Sequence, residues 1–235
     1  ELSGWGECVA DPDPFYSPET TVSCHHIIKE FILPVLKPGM SFSEFEKEMK
    51  HIRGNMMAKA AVENALLDLM AKIEGVPLYK MFGFEPKKIM SGISIGIKGS
   101  IDELLVAVQD AIDKKYHRVK MKIKKGKDIE WVEAVRNSYP TLQLMVDANG
   151  DYAIDDAKHL AKLDKYGLTM IEQPLSYSDI YFHSKLQKSI ETPLCLDESI
   201  HSLEDAITAV ELGSCRIVNI KEGRVGGMAE AVRIA

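Results

Sequence analysis

Five short apolar segments of this chain each run into an ionisable residue: VKMKI, LMVDAN, MIEQP, LCLDES and IVNIK. The acids among them, Asp147, Glu172 and Asp197, stand at intervals of 25, with Lys122 25 residues before the first and Lys221 24 after the last. A lone acid at any of these positions reads as a helix cap or a surface charge, but the shared phase of three argues for one pocket. Carboxylates gathered about 4 Å apart repel by roughly 4 kcal/mol per pair at an effective dielectric near 20, so a cation must accompany them. With only oxygen donors and no cysteine or histidine at the matching positions, the set selects a hard divalent ion, Mg2+, with Mn2+ as a substitute. Lys120 and Lys122 lie two apart on one strand and point to the same side, and mutual repulsion of their ammonium groups would favour a neutral lysine able to act as a base. Lys221 closes the arrangement from another strand, and Arg224 adds positive potential beside it. Metal and lysines together suit removal of a proton from carbon next to a carboxylate, with the metal stabilising the enediolate.

The elements that would position these residues follow from the same period. About 25 residues is what one strand, one helix and two short loops consume, so each charge falls at the C-terminal end of a strand. Strands are expected near 91–97, 118–123, 142–147, 168–172, 194–197 and 215–220, with helices near 101–115, 128–137, 154–165, 179–189 and 203–212, and a last one from about Gly226. Near-continuous apolar strands alternating with helices indicate a parallel sheet covered by helices. In a (β/α) TIM-type barrel all strand ends of this kind meet at one face, where active sites are built; six of the eight units are present, so the barrel reads as truncated. An open doubly wound sheet is the alternative, and it would not bring all five charges together. The barrel is expected over 90–235. Residues 1–89 form a separate α+β segment, with a strand at Leu2–Val9 and helices near 20–36, 43–50 and 55–74, the last closed by Gly75 and Pro77.

Composition narrows the partners. A net charge of −6 leaves no dominant basic face, which argues against nucleic acid. No apolar run approaches the roughly 18 residues of a membrane span. Four cysteines, Cys8, Cys24, Cys195 and Cys215, lack CxxC spacing and follow no signal peptide, so a reducing cytoplasmic setting is expected. His25 and His26 read as surface residues, His183 and His201 as capping or packing ones. The chain opens at Glu1 without a methionine and closes inside a helical pattern, so both ends read as cut.

KMK, the three acid-bearing motifs DAN, EQP and DES, and NIKEGRVGG resemble the enolase superfamily, whose pairing of a lysine base with Mg2+ is a known pattern. More closely the chain is similar to the o-succinylbenzoate synthase and N-acylamino acid racemase group of the muconate lactonising subgroup. The resemblance covers essentially the whole chain and makes residues 1–89 part of an enolase-like capping domain. It implies that Asp147, Glu172 and Asp197 bind Mg2+, that Lys122 is the acid/base and Lys120 tunes it, that Asn149 supports the metal shell, and that Lys221 acts from the opposite face. Glu222 stands where the group usually has proline. The implied activity is dehydration of a cyclohexadiene carboxylate to o-succinylbenzoate in menaquinone synthesis, with N-acylamino acid racemisation or dipeptide epimerisation as the alternative and an inactive truncated barrel as a third. A small-molecule carboxylate substrate and a homo-oligomer are expected.

Overall fold

The computed structural model describes residues 2–235, which divide into two compact units. The first comprises residues up to Lys87 together with His201–Leu203 and Ile220–Ala235; the second is Lys88–Ile200 with Glu204–Asn219. No helix of the described residues is long and apolar enough to cross a membrane.

The first unit begins without the expected strand. Leu2–Val9 forms no β-ladder and instead lies along α3 (Met56–Glu74), because the described residues of this unit include no strand to pair with it. Gly4 and Gly6 press so closely on that helix that a Cβ at either would fall on the carbonyl oxygen of Ala65 or Ala61. The Trp5 amide donates to Asp68 at 2.7 Å, and Lys72 reaches the Ser3 carbonyl at 2.7 Å. A single helix over 20–36 is also not formed. Thr20 caps α1 (Thr21–Ile27), but the chain then widens into a π turn at Ile28–Ile32 and tightens into a 3-10 turn at Leu33–Val35. Pro34 explains the change, since it lacks an N–H and its ring collides with the carbonyl four residues back. Ser41 caps α2 (Phe42–Met49) in a reciprocal box with Glu44. The Glu19 carboxylate accepts from the amides of Met57 and Ala58 at 3.0 and 3.4 Å, closing the start of α3. A short α4 (Leu78–Met81) ends this stretch.

The second unit alternates as the period predicts: β1 (Gly92–Ile95), α5 (Ile101–Asp113), β2 (Arg118–Lys122), α6 (Ile129–Ser138), β3 (Gln143–Asp147), α7 (Ala157–Leu160), β4 (Ile171–Glu172), α8 (Tyr181–Gln187), β5 (Leu194–Leu196), α9 (Leu203–Leu212) and β6 (Ile217–Val218). All six strands are parallel and each pairs with its neighbours in sequence. That order is the one a β/α barrel requires, since a doubly wound sheet reverses strand order at its crevice. Strand residues of one parity, Val119, Met121, Leu144, Val146, Ile171 and Leu194, are sealed in a core with Leu104, Val108, Val132, Val135, Leu160, Leu163 and Leu186 from the flanking segments. The expected helix over 154–165 is mostly 3-10, at Ile154–Asp156 and Ala161–Tyr166. Three residues per turn puts Leu160, Leu163 and Tyr166 in one line, and all three are buried.

The C-terminal stretch groups with the first unit rather than with the strands. Here a short α10 (Glu222–Val225) precedes Gly226 and Gly227, with φ of 97° and 141°, and the helix expected from about Gly226 follows them as α11 (Met228–Ile234). Glu63, 6% exposed on α3, accepts from the Ala229 amide at 2.9 Å. Burial pushes its carboxyl up to about 7, against the Ala229 hydrogen bond and Arg233 and with the help of Glu46 and Glu222.

That shift has a testable consequence. The native state holds the Glu63 proton between the ordinary value of 4.5 and about 7, so stability is full below the lower value and falls as pH rises through the interval. At about 1.4 kcal/mol per unit the loss amounts to about 3 kcal/mol. Glu63→Gln keeps an acceptor for Ala229 and removes the titration. Urea unfolding should find the variant more stable at pH 8 by an amount approaching that figure and nearly equal to wild type at pH 4.5. Parallel pH profiles for the two proteins would refute the assignment.

Candidate active site

Strand register decides which of the candidate residues meet. Lys122 lies beside Asp147, and Asp147 beside Glu172, but the β5 neighbour of Glu172 is Cys195. Asp197 therefore stands one pleat further along than its equal spacing suggests, on the same face because side chains alternate. Lys120 lies one pleat below Lys122 on that face. Beneath the charges, Met145, Met170, Cys195 and Ile217 form a small apolar cluster. Burial drives the Cys195 thiol far up, so it serves as packing.

The three acids are almost fully buried, Asp147 at 3% exposure and Glu172 and Asp197 at 1% each. Lys120 supplies a positive charge among them: its Nζ lies 2.8 Å from Glu172 Oε1 and 3.5 Å from Asp147 Oδ2. Asn219 Nδ2 donates to the same Glu172 oxygen at 3.2 Å. Burial alone would lower the Lys120 ammonium, but the hydrogen bond to Glu172 and the fields of Glu172, Asp147 and Asp197 outweigh it and hold it raised. Glu172 is also raised, first by its own burial and further by Asp147 and Asp197, despite Lys120. Both partners move upward, Glu172 because burial and the neighbouring acids disfavour its charge and Lys120 because the same acids favour its own. Of the two lysines expected to repel until one is neutral, Lys120 is not the depressed one, because the acids around it outweigh its like-charged neighbour.

Lys122 makes a different contact. Its Nζ donates to Asn149 Oδ1 at 2.6 Å, and the Asn149 amide nitrogens donate to Glu198 Oε1 at 2.8 Å and, from the backbone, to Asp147 Oδ1 at 3.1 Å. Gln173, fully buried and held at a φ of 38°, ties two acid-bearing strand ends together. Its Oε1 accepts from the amides of Asp197 and Ser199 at 3.0 and 3.3 Å, and its Nε2 donates to Ser199 Oγ at 2.6 Å. Ser199 Oγ passes the chain to the Asp179 carbonyl at 2.7 Å, where His183 joins through Nδ1 at 2.8 Å. His183 Nε2 accepts from the Leu175 amide at 3.2 Å, so the ring is neutral with its proton on Nδ1, and burial lowers its pKa against the pull of Asp179.

Lys221 and Arg224 belong to the first unit. There Lys221 Nζ donates to the Tyr16 hydroxyl at 2.6 Å and stands 5.1 Å from the centre of its ring, and Arg224 Nη1 reaches the same oxygen at 3.5 Å. Glu222, where the group usually has proline, accepts from Asn64 Nδ2 at 3.0 Å.

Among the described residues, no three histidine, cysteine, aspartate or glutamate side chains are arranged to hold a metal ion as they stand. The donor set nevertheless fits one. Glu172 Oε2 is buried without a hydrogen-bond partner, and Asp147, Glu172 and Asp197 bring more negative charge than Lys120 offsets. Hard oxygens with a surplus of negative charge are what Mg2+ takes.

Sequence reading missed Gln173, Glu198, Asn219 and Tyr16. The first three had a signal, since they lie inside the EQP, DES and NIK motifs next to assigned residues. Tyr16 had none, being 205 residues from Lys221 in a proline-rich loop.

Residues 103–235 match the family described as enolase C-terminal domain-like, and residues 2–83 match the mandelate racemase / muconate lactonizing enzyme N-terminal domain. The chain is 48% identical over 235 residues to an o-succinylbenzoate synthase of Geobacillus kaustophilus, covering 99% of this chain and 63% of the relative. It is 40% identical to an N-succinylamino acid racemase of Thermus thermophilus, covering 99% and 64%. A crystal structure of an enolase-superfamily member from Listeria innocua superposes with a TM-score of 0.93 at 46% identity, over 98% of this chain and 63% of that one. The chain thus spans under two thirds of the length of these relatives.

Proposed function

The chain belongs to the mandelate racemase and muconate lactonizing enzyme family of the enolase superfamily, and on that premise we propose that it takes the α-proton from a carboxylate substrate in the dehydration that yields o-succinylbenzoate. The observation that carries this reading is the division of labour between two lysines of one strand. Lys120 is committed to Glu172 and Asp147, whereas the partner of Lys122 is a neutral amide oxygen, so the Lys122 lone pair can be freed without breaking an ion pair. Lys122 receives the proton from the carbon next to the carboxylate and returns it to the departing hydroxide on the same face, so that water leaves. Lys221, oriented by Tyr16, provides a cation over the ring of the substrate. Asp147, Glu172 and Asp197 would hold Mg2+, or Mn2+ in its place, and the ion when bound supplies stabilisation for the charge that builds on the substrate carboxylate. The four cysteines are free, which suits a cytoplasmic setting.

A second reading, racemisation of an N-succinylamino acid, draws on the relatives of that name at 40% identity and on the presence of a second oriented lysine. The test common to both is solvent deuterium incorporation at the substrate α-carbon by the full chain. Exchange that depends on added Mg2+ and ceases on chelation is expected. Absence of exchange with either substrate type would leave the inactive barrel as the answer.

A further inference from the structure

Glu198 is a buried carboxylate, 4% exposed, that neither the set of three acids nor the packing accounts for. Its Oε1 accepts from Asn149 Nδ2 at 2.8 Å, while its Oε2 is buried with no hydrogen-bond partner. Desolvating a carboxylate costs several kcal/mol, and neutral hydrogen bonds from Asn149 and from its own backbone amide do not offset that. The position is therefore poor for stability and needs another reason.

Asn149 provides it. The amide bridges the two side chains in one orientation, its oxygen accepting from Lys122 Nζ and its NH2 donating to Glu198 Oε1, so an acceptor at the Glu198 position keeps the oxygen turned toward Lys122. The Asn149 backbone is held as well, at a φ of 41° with its N–H on Asp147. Without the carboxylate, the amide can turn its NH2 toward the ammonium, where donor faces donor and the hold on Lys122 is lost.

We propose that Glu198 is a positioning residue for Lys122, acting through the amide of Asn149. This departs from the expectation that Asn149 only supports a metal shell. Its importance for turnover rests on the α-proton reading above, whereas the positioning itself is a property of the free protein and can be measured there.

The measurement is the rate at which acetyl N-hydroxysuccinimide ester modifies Lys122 in the metal-free full chain, read by peptide mass spectrometry against exposed Lys88. Glu198→Ala and Asn149→Ala should each speed labelling of Lys122 by about three- to tenfold, the equivalent of one net hydrogen bond. Glu198→Gln, which can still accept from Nδ2, should label near the wild-type rate. The double variant should label no faster than Asn149→Ala alone, because the proposal routes the effect of Glu198 through Asn149. Should Glu198→Ala fail to fold, Glu198→Asp, one methylene too short to reach Nδ2, carries the same expectation. Wild-type labelling in the folded Ala or Asp variant, or a double variant equal to the product of the singles, overturns the proposal. In parallel, kcat for deuterium exchange should fall in Glu198→Ala with KM little changed. If wild type itself shows no exchange, the reaction assigned above is wrong while the labelling rates still decide the positioning.

Discussion

Lys122→Ala is expected to cut α-proton exchange by about 10²- to 10⁴-fold, the range that a positioned general base contributes. The residue shares a face with Asp147 and Glu172 and is bound to a neutral oxygen, so its loss removes the proton acceptor while leaving the Lys120 ion pairs in place. Lys124→Ala is the matched control. It lies two residues further on, exposed and past the end of β2, where its backbone bridges to Lys127, and it should alter exchange hardly at all. Steady-state rates with substrate deuterated at the α-carbon would check both. An equal loss in the two variants would mean that the lysines matter only as charge, and a fully active Lys122→Ala would remove the base from this account.

Lys221→Ala is expected to separate the two candidate reactions. Racemisation needs a proton taken on one face of the α-carbon and returned on the other, so losing one of two bases should abolish inversion while one enantiomer still exchanges through Lys122. Syn dehydration uses a single base, and removing a cation over the ring should reduce it without eliminating it. Following each N-succinylamino acid enantiomer by deuterium incorporation and optical rotation distinguishes these outcomes. Inversion that persists in Lys221→Ala would overturn the two-base assignment. The Tyr16 hydroxyl and ring already engage the ammonium, so Tyr16 joins Lys221 as part of what such a variant perturbs.

The difference between the two lysines of β2 shows where sequence reasoning stops. Parity places Lys120 and Lys122 on one face whatever surrounds them, and that much follows from alternation along a strand. Their roles do not. Lys120 meets Glu172, 52 residues away, and Lys122 meets Asn149, 27 residues away, and mutual repulsion is not the main influence on Lys120. An element end with a local cause was legible in the same way: Gly75 in the left-handed region ends α3, whereas the choice of Ser41 over Ser43 as the cap of α2 took the structure to decide. Leu2–Val9 was misread because a strand is defined by its partner, and an alternating segment with none lies on a helix instead.

By itself the amino-acid order determined the repeating β/α unit and the strand-end position of Lys122, Asp147, Glu172 and Asp197, because period and parity are set by covalent geometry and local hydrogen bonding, while the family was legible through the resemblance of the KMK, DAN, EQP, DES and NIKEGRVGG motifs. Only the tertiary structure decided that Glu172 lies level with Cys195 and Asp197 one pleat beyond, that Lys120 is a counter-charge to Asp147 and Glu172, and that Gln173, Glu198, Asn219 and Tyr16 hydrogen-bond to the candidate residues or their neighbours. Register and side-chain reach depend on the stagger between strands and on contacts across many tens of residues, and no interval counted along the chain contains them.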